Sequence, residues 1–230
     1  GMPVDMDSVM TLASKYNLKV IEDCAQSHLA KYKGRYTGTI GHAGSFSFYP
    51  TKNLGAYGDA GAIVTNDDEL ALLCRQLANH GQLKRDIHLR PGRNSRLDTM
   101  QAAILSVKLN YLQHWTDQRI LHAKLYRKLL EGRFQCPVIP NDYVHVYHLF
   151  IIQVERREKL RAHLKAQGID TGLHYPLPVS STDAFRNFNR LLLDSCIVNE
   201  SYSGRILSLP IFPELTEEKI RYVCEVLTKF

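Results

Sequence analysis

At 230 residues, with 44% hydrophobic and 23% charged residues and a mean hydropathy of −0.24, the chain can bury a sizeable core and is neither disordered nor fibrous in composition. No apolar run reaches the roughly 18 residues needed to cross a bilayer and no signal-peptide pattern opens the chain, so a cytoplasmic protein without a membrane partner is expected. The net charge of +6 suits a phosphate-bearing ligand, yet no helix-turn-helix, zinc module or aromatic–basic surface pattern marks a nucleic-acid partner.

The five cysteines (24, 74, 136, 196 and 224) are widely spaced, with no CxxC pair and no Cys–His spacing suited to zinc, and read as reduced thiols. The ten histidines are dispersed, and no metal site is expected; "HVYH" at 145–148 alternates like a strand. Gly1 ahead of Met2 reads as the scar of a cleaved tag.

In chain order, "VDMDSVMTLASKYNL" places Val9, Met10 and Ala13 at helical spacing behind an aspartate able to cap, which predicts a helix over about 6–16. "KVIEDCA" predicts a short buried strand ending in two acids. "GSFSFYP" alternates and closes at a proline, and "AGAIVTND" is a third strand. Asp67 or Asp68 can cap the next helix, whose stripe is Leu70, Leu73, Cys74 and Leu77. Helix and strand therefore alternate, the pattern of an α/β fold. A basic, glycine-bearing loop runs from Gly81 to Ser95. Beyond it, helical periodicity continues over more than 30 residues and stops at Gly132, a length that bridges domains or bends. The remainder reads as α+β: a strand at "HLFIIQVE", a helix over about 156–167 ended by Gly168, the loop "HYPLPV", and a last helix after Thr216.

Lys52 draws attention because it stands where a strand hands over to a glycine-rich turn, where backbone and a ligand can approach closely. An amine that must bond to an aldehyde needs such a partly desolvated position. Asp23 closes the preceding strand, at the edge where open α/β sheets bind ligands, and Ser47 lies five residues before Lys52. Taken singly, a lysine beside glycines is a surface residue and a strand-end aspartate caps a loop.

The stretches "PVDMD", "VIEDCAQSH", "GSFSFYPTKNLGAYGDAGAIVTND", "RNSRLDTMQAAILSVKL", "VYHLFIIQ", "GIDTGLHYPLP" and "SLPIFPELTEE" occur in the order found in the DegT/DnrJ/EryC1/StrS family, which the chain resembles over essentially residues 3–230. These are sugar aminotransferases that use pyridoxal 5'-phosphate (PLP). The resemblance implies an α/β fold of the fold-type-I, aspartate aminotransferase-like class, with an incomplete PLP-binding large domain (3–113) and an α+β small C-terminal domain (114–230). By the same resemblance, Lys52 is the Schiff-base lysine and proton shuttle, Asp23 pairs with the pyridinium nitrogen, Gln26 lies against the ring oxygen, and Ser47 binds the phosphate. Asn94 would reach the phosphate of a neighbouring subunit's cofactor, which implies a homodimer or other self-association. Implied partners are an amino-acid donor, glutamate in most relatives, and a nucleotide-linked keto sugar.

His28, His174 and Tyr175 are candidate substrate contacts, the last two alternatively a packed turn. Lys84, Arg85, His88, Arg90 and Arg93 either meet substrate phosphates or form a solvated loop. The chain departs from the family at its start: a stretch on the order of 100–150 residues has no counterpart here, a small domain's worth. An inactive remnant of the family is therefore an alternative to an active enzyme, and a regulatory or nucleic-acid-binding protein, resting on charge alone, is a third and weaker reading. Leu29, Ala60, Ser180 and Thr182 replace residues common in relatives and leave the sugar open.

Overall fold

The computed structural model describes residues 1–185 and 197–230, which form two compact units. One comprises Gly1–Asp117 with Ile139–His148, the other Gln118–Val138 with Leu149–Phe230. Cys196 lies outside the described residues. The other four cysteines are free thiols, and among the described residues no helix is long and apolar enough to cross a membrane.

In the first unit, helix α1 (Met6–Lys15) is capped by Asp5, whose carboxylate accepts the Ser8 N–H, and it buries Met6 and Ala13. Strand β1 (Ile21–Asp23) is followed by the short antiparallel pair β2 (Lys31–Tyr32) and β3 (Arg35–Tyr36), and then by β4 (Ala43–Ser47) and β5 (Gly61–Val64). The main sheet has the order β1-β4-β5. Strands β1 and β4 run parallel, with Ile21 opposite Ala43 and Asp23 opposite Ser45; β4 and β5 run antiparallel, with Ser47 opposite Gly61. The carboxyl ends of β1 and β4 therefore lie at one edge.

Here the structure corrects the sequence reading of β1. Its buried member is Glu22, while Ile21 is 71% exposed. The strand is an edge of the sheet, so the face expected to be covered is bare. Helix α2 (Asp68–Ala78) is capped by Asp67, as the sequence allowed. Its stripe is not buried, however: Leu70, Leu73 and Cys74 are half-covered, Leu77 is exposed, and the one buried residue is Gln76. The same bareness around the sheet explains both departures.

The basic stretch after α2 is not a plain loop but a hairpin of β6 (Gln82–Lys84) and β7 (Ile87–His88). The long periodic stretch is two helices, α3 (Thr99–Leu109) and α4 (Leu112–Leu130), separated at Asn110 and Tyr111. Strand β8 (Tyr143–Val144) adds to β2. Residues 145–148, read as strand-like, lie outside any strand, and Tyr147 has a positive φ of 48° that no strand accommodates.

Two apolar clusters fill this unit. Leu54, Ala56, Leu105 and Leu112 pack with Leu29, Phe48 and Ala60; Met6, Tyr32 and Ile40 pack with Met10, Val20 and Tyr143.

In the second unit, β9 (Phe150–Gln153), α5 (Arg157–Ala166), α6 (Ile197–Ser203), β10 (Ile206–Leu209) and α7 (Glu217–Thr228) follow in order. Strands β9 and β10 pair antiparallel, Phe150 opposite Leu209. The core joins Leu130, Phe150, Leu160, Leu164, Leu207, Ile220 and Leu227, all at most 2% exposed. The ring of Tyr126 stacks on Phe150 at 4.8 Å while its hydroxyl donates to the Pro210 carbonyl at 3.0 Å. Gly168 ends α5 with φ +74°, and Thr216 caps α7 by accepting the Lys219 N–H.

Candidate active site

The turn bearing Lys52 begins where β4 ends. The Lys52 N–H donates to the Tyr49 carbonyl at 2.9 Å, the Ala56 N–H returns to the Phe48 carbonyl at 2.8 Å, and the Phe48 N–H donates to Ala60 at 2.8 Å. Gly55 lies so close to Pro50 that an added Cβ would collide with the Pro50 carbonyl. Asn53, buried beside the lysine, donates to the Val146 carbonyl at 3.3 Å and meets His148 Nδ1 at 3.0 Å through its own amide oxygen. From α3, Lys108 donates to the Gly55 carbonyl and Gln101 accepts the Tyr57 N–H at 2.8 Å. A half-buried lysine is thus carried on a turn pinned from two sides. Neither Asn53 nor its partners were found from the sequence, because these bonds join residues about ninety positions apart.

At the neighbouring strand end, Asp23 is exposed and its carboxylate accepts the Ala25 N–H at 3.0 Å. The adjacent Glu22 points inward, where its carboxylate accepts the N–H groups of Gly38 (2.8 Å), Ile40 (2.7 Å) and Gly41 (2.7 Å). Thr37 donates to the Ser27 carbonyl at 2.9 Å. The stretch 23–28 is therefore tied down at both ends. Glu22 was missed as an anchor, although an acid within the apolar "VIEDC" was a signal.

Ser47 is half-buried, and its hydroxyl oxygen accepts the Tyr49 N–H at 3.3 Å. Gln26 is half-buried on the loop after Asp23. His28 is 3% exposed, its ring 5.5 Å from that of Phe46 and 5.8 Å from that of Phe48. Burial, reinforced by the charge of Lys52, pushes its imidazole down to about 4. Its ring nitrogens make no well-aligned hydrogen bond among the described residues, while the Ser47 backbone acts on the ring as a hydrogen-bond partner that opposes this lowering.

Ser47, Lys52 and Asn94 line one open cleft of about 1270 Å³, together with Phe46 and Asp98. Asp23, Gln26 and His28 do not line it. Asn94 is exposed, accepts the Arg96 Nε–H at 3.0 Å and bridges Asn79 through its backbone.

His174 and Tyr175 belong to the second unit. His174 Nδ1 lies 3.0 Å from the Ser208 hydroxyl, and Tyr175 is exposed. On the hairpin, Lys84, Arg85, His88, Arg90 and Arg93 are all exposed, Arg85 lies 3.7 Å from Asp86, and His88 Nδ1 meets the His80 carbonyl at 2.9 Å.

An amine, a hydroxyl and a carboxylate gathered at one sheet edge match the donor set that holds a phosphorylated aldehyde. The model of the DegT/DnrJ/EryC1/StrS aminotransferase family matches residues 1–228. A "pleiotropic regulatory protein" of Geobacillus stearothermophilus is 45% identical over 100% of this chain and 63% of its own length. A dTDP-3-amino-3,4,6-trideoxy-α-D-glucose transaminase of Streptomyces venezuelae is 42% identical over 100% of this chain and 61% of its own. The crystal structure of S. venezuelae DesV in complex with a ketimine intermediate superposes with a TM-score of 0.94 at 42% identity, covering 99% of this chain and 62% of that one. The chain thus spans somewhat less than two thirds of the length of these relatives, and its α/β fold, that of the PLP-dependent enzymes of this group, is incomplete relative to theirs. With the family model matched almost end to end, this chain belongs to the DegT/DnrJ/EryC1/StrS aminotransferase family.

Proposed function

We propose that this chain carries the lysine-bearing part of a PLP-dependent aminotransferase site, which moves an amino group from an amino-acid donor, glutamate in the first instance, to the keto group of a nucleotide-linked sugar. The observation that carries the reading is Lys52, held half-buried on a pinned turn at the sheet edge shared with Asp23 and Ser47. The family and the ketimine-bearing relative support PLP as the cofactor.

The residues present fit that group. Lys52 offers an amine with no hydrogen-bond or ion-pair partner among the described residues, and it lines the same open cleft as Ser47. In this reading Lys52 would bond to the aldehyde carbon, Asp23 would face the pyridine nitrogen, Gln26 the ring oxygen and Ser47 the phosphate. Asn94 would serve the phosphate of a second copy's cofactor. Bound there, PLP supplies an electron sink for the carbon that loses its proton.

Lys52, as a free amine, would be the base that takes the proton from the donor's Cα and the acid that gives one back on the sugar side. Asp23, exposed at the strand end, would hold a proton on the ring nitrogen it faces. Ser47 orients by donating its hydroxyl hydrogen to a phosphate oxygen. His174, Tyr175 and the basic hairpin are candidate substrate contacts. Residues 3–113 are read as part of the cofactor-binding domain and 114–230 as the small domain.

The test is a visible spectrum of the purified chain titrated with PLP, then borohydride reduction and peptide mapping, then mass-spectrometric assay with glutamate and nucleotide-linked keto sugars. A band trapped on Lys52, with amino transfer that Lys52→Ala abolishes, is the expected result. A second reading, an inactive remnant, draws on the 61–63% coverage of relatives. Trapping on Lys52 without transfer would favour it, and label scattered over surface lysines would overturn the assignment of the site.

A further inference from the structure

Within the second unit, two residues 34 positions apart meet: His174 Nδ1 lies 3.0 Å from the Ser208 hydroxyl oxygen. Ser208 stands on β10 and is 5% exposed, while His174 is half-buried. The backbones of Ser208 and Gly172 pair in both directions. The Gly172 N–H donates to the Ser208 carbonyl at 3.0 Å, and the Ser208 N–H donates to the Gly172 carbonyl at 2.9 Å. A Cβ built on Gly172 would stand 2.5 Å from Cε1 of the His174 ring and 3.1 Å from its Nδ1. The imidazole therefore rests against the bare backbone of Gly172, with its Nδ1 corner at the buried hydroxyl.

That hydroxyl decides which ring nitrogen carries the hydrogen. A buried O–H has to place its hydrogen on an acceptor. Among the described residues, Nδ1 of His174 is the one acceptor that Ser208 Oγ reaches. Were Nδ1 to carry a hydrogen, it would donate to Oγ, and the hydroxyl hydrogen would be left unmade inside the fold, the costlier arrangement. A neutral imidazole has one acceptor and one donor nitrogen. With Nδ1 accepting, the donor is Nε2.

We propose that Ser208 is a positioning residue for His174: its hydroxyl donates to Nδ1, and with Gly172 leaving room for the ring it holds the imidazole in one orientation and one tautomer, with Nε2–H as the donor for a substrate oxygen. The inference rests on the reading of His174 as a substrate contact given above, and deepens it. The group that His174 takes is an acceptor, a keto, hydroxyl or phosphate oxygen of the nucleotide-linked sugar. No bond forms or breaks on the ring. A donor held in place beforehand need not be ordered when the substrate arrives.

The test reads the ring nitrogens of His174 by long-range proton–nitrogen NMR correlation in the cofactor-free chain at neutral pH, the signals being assigned by their loss in His174→Gln. The expected pattern is a bare, hydrogen-bonded Nδ1 and a protonated Nε2. Ser208→Ala should move the Nδ1 signal, and Ser208→Thr, which keeps the hydroxyl, should restore it. A hydrogen on Nδ1 in the unsubstituted chain, or an Nδ1 signal that Ser208→Ala leaves in place, overturns the proposal. A second readout follows acylation of His174 by diethyl pyrocarbonate with mass spectrometry, the exposed His114 serving as reference. The reagent needs a nitrogen lone pair, and the Ser208 hydroxyl covers the one on Nδ1. Ser208→Ala should speed His174 roughly three- to tenfold against His114, the equilibrium worth of one hydrogen bond. An unchanged rate in a folded Ser208→Ala chain also overturns it. Should Ser208→Ala fail to fold, the place of the hydrogen in the unsubstituted chain decides alone. Absence of PLP trapping on Lys52 would fell the aminotransferase reading separately, because the nitrogen signals are recorded without cofactor.

Discussion

Glu22 and Asp23 are neighbours on β1 that face opposite ways, as alternation along a strand requires. Glu22 is buried and binds three backbone N–H groups of the 38–41 loop, whereas Asp23 is exposed at the strand end. Glu22→Ala leaves those donors without their acceptor and is expected to cost about 3 kcal/mol or more. Glu22→Gln, which keeps one acceptor oxygen, should cost less; urea denaturation of the two variants checks the order. His28 yields a second residue-scale expectation. Its imidazole titrates at about 4 in the folded chain against 6.5 normally, so between those values the unfolded chain takes up a proton that the folded chain refuses. The stabilisation is complete above pH 6.5 and is lost as pH falls toward 4, on the order of 3 kcal/mol in all. Chemical denaturation across that window should show His28→Phe flattening the acid limb, and an unchanged limb would contradict the assignment. Lys52, Asp23 and Ser47 stand out in the sequence as candidates because each sits in a short contiguous motif. Asn53 and His148 were not, since nothing local marks a bond spanning 95 positions.

Among elements, the caps were the most readable feature. Asp5, Asp67 and Thr216 each accept an N–H three residues on, the local geometry that defines an N-cap. Thr216→Ala should cost about 1 kcal/mol, measurable as a lower denaturation midpoint, because α7 buries Ile220, Val223 and Leu227. The turn after β4 is governed instead by close approach. In Gly55→Ala the new methyl would press on the Pro50 carbonyl, which cannot move without shifting the turn that carries Lys52. Overpacking of this kind costs about 1–3 kcal/mol. Weakened PLP trapping on Lys52 with little change in far-UV circular dichroism is the expected outcome, and undiminished trapping would count against a turn held by that contact. The hairpin of β6 and β7 and the division of the long helix were not foreseen. A basic, polar hairpin lacks the alternating apolar pattern, and helical periodicity runs on through Asn110 without a proline or glycine to announce the break.

For the molecule as a whole, the apolar surface left bare is the salient property. Both edge strands of the main sheet show it: Ile21 on β1, and Ile63 and Val64 on β5. Met100 and Val107 on α3 are exposed as well. Open strand edges and contiguous apolar faces recruit partners. We therefore expect a homodimer or larger self-associated species, in which Asn94 could serve a second copy's site; light scattering that returns a clean monomer would sink this expectation. The sequence by itself determined the family and the α/β class and singled out Lys52 as the candidate reactive amine, because these readings reside in ordered motifs, caps and periodicities that act over a few residues. Only the tertiary structure decided that β1 buries a carboxylate rather than an isoleucine, that the apolar stripe of α2 is at most half-covered, and that His28 is buried against Phe46 and Phe48. The physical reason is that periodicity tells which face of an element is apolar, while burial depends on whether another element is present to lie against it.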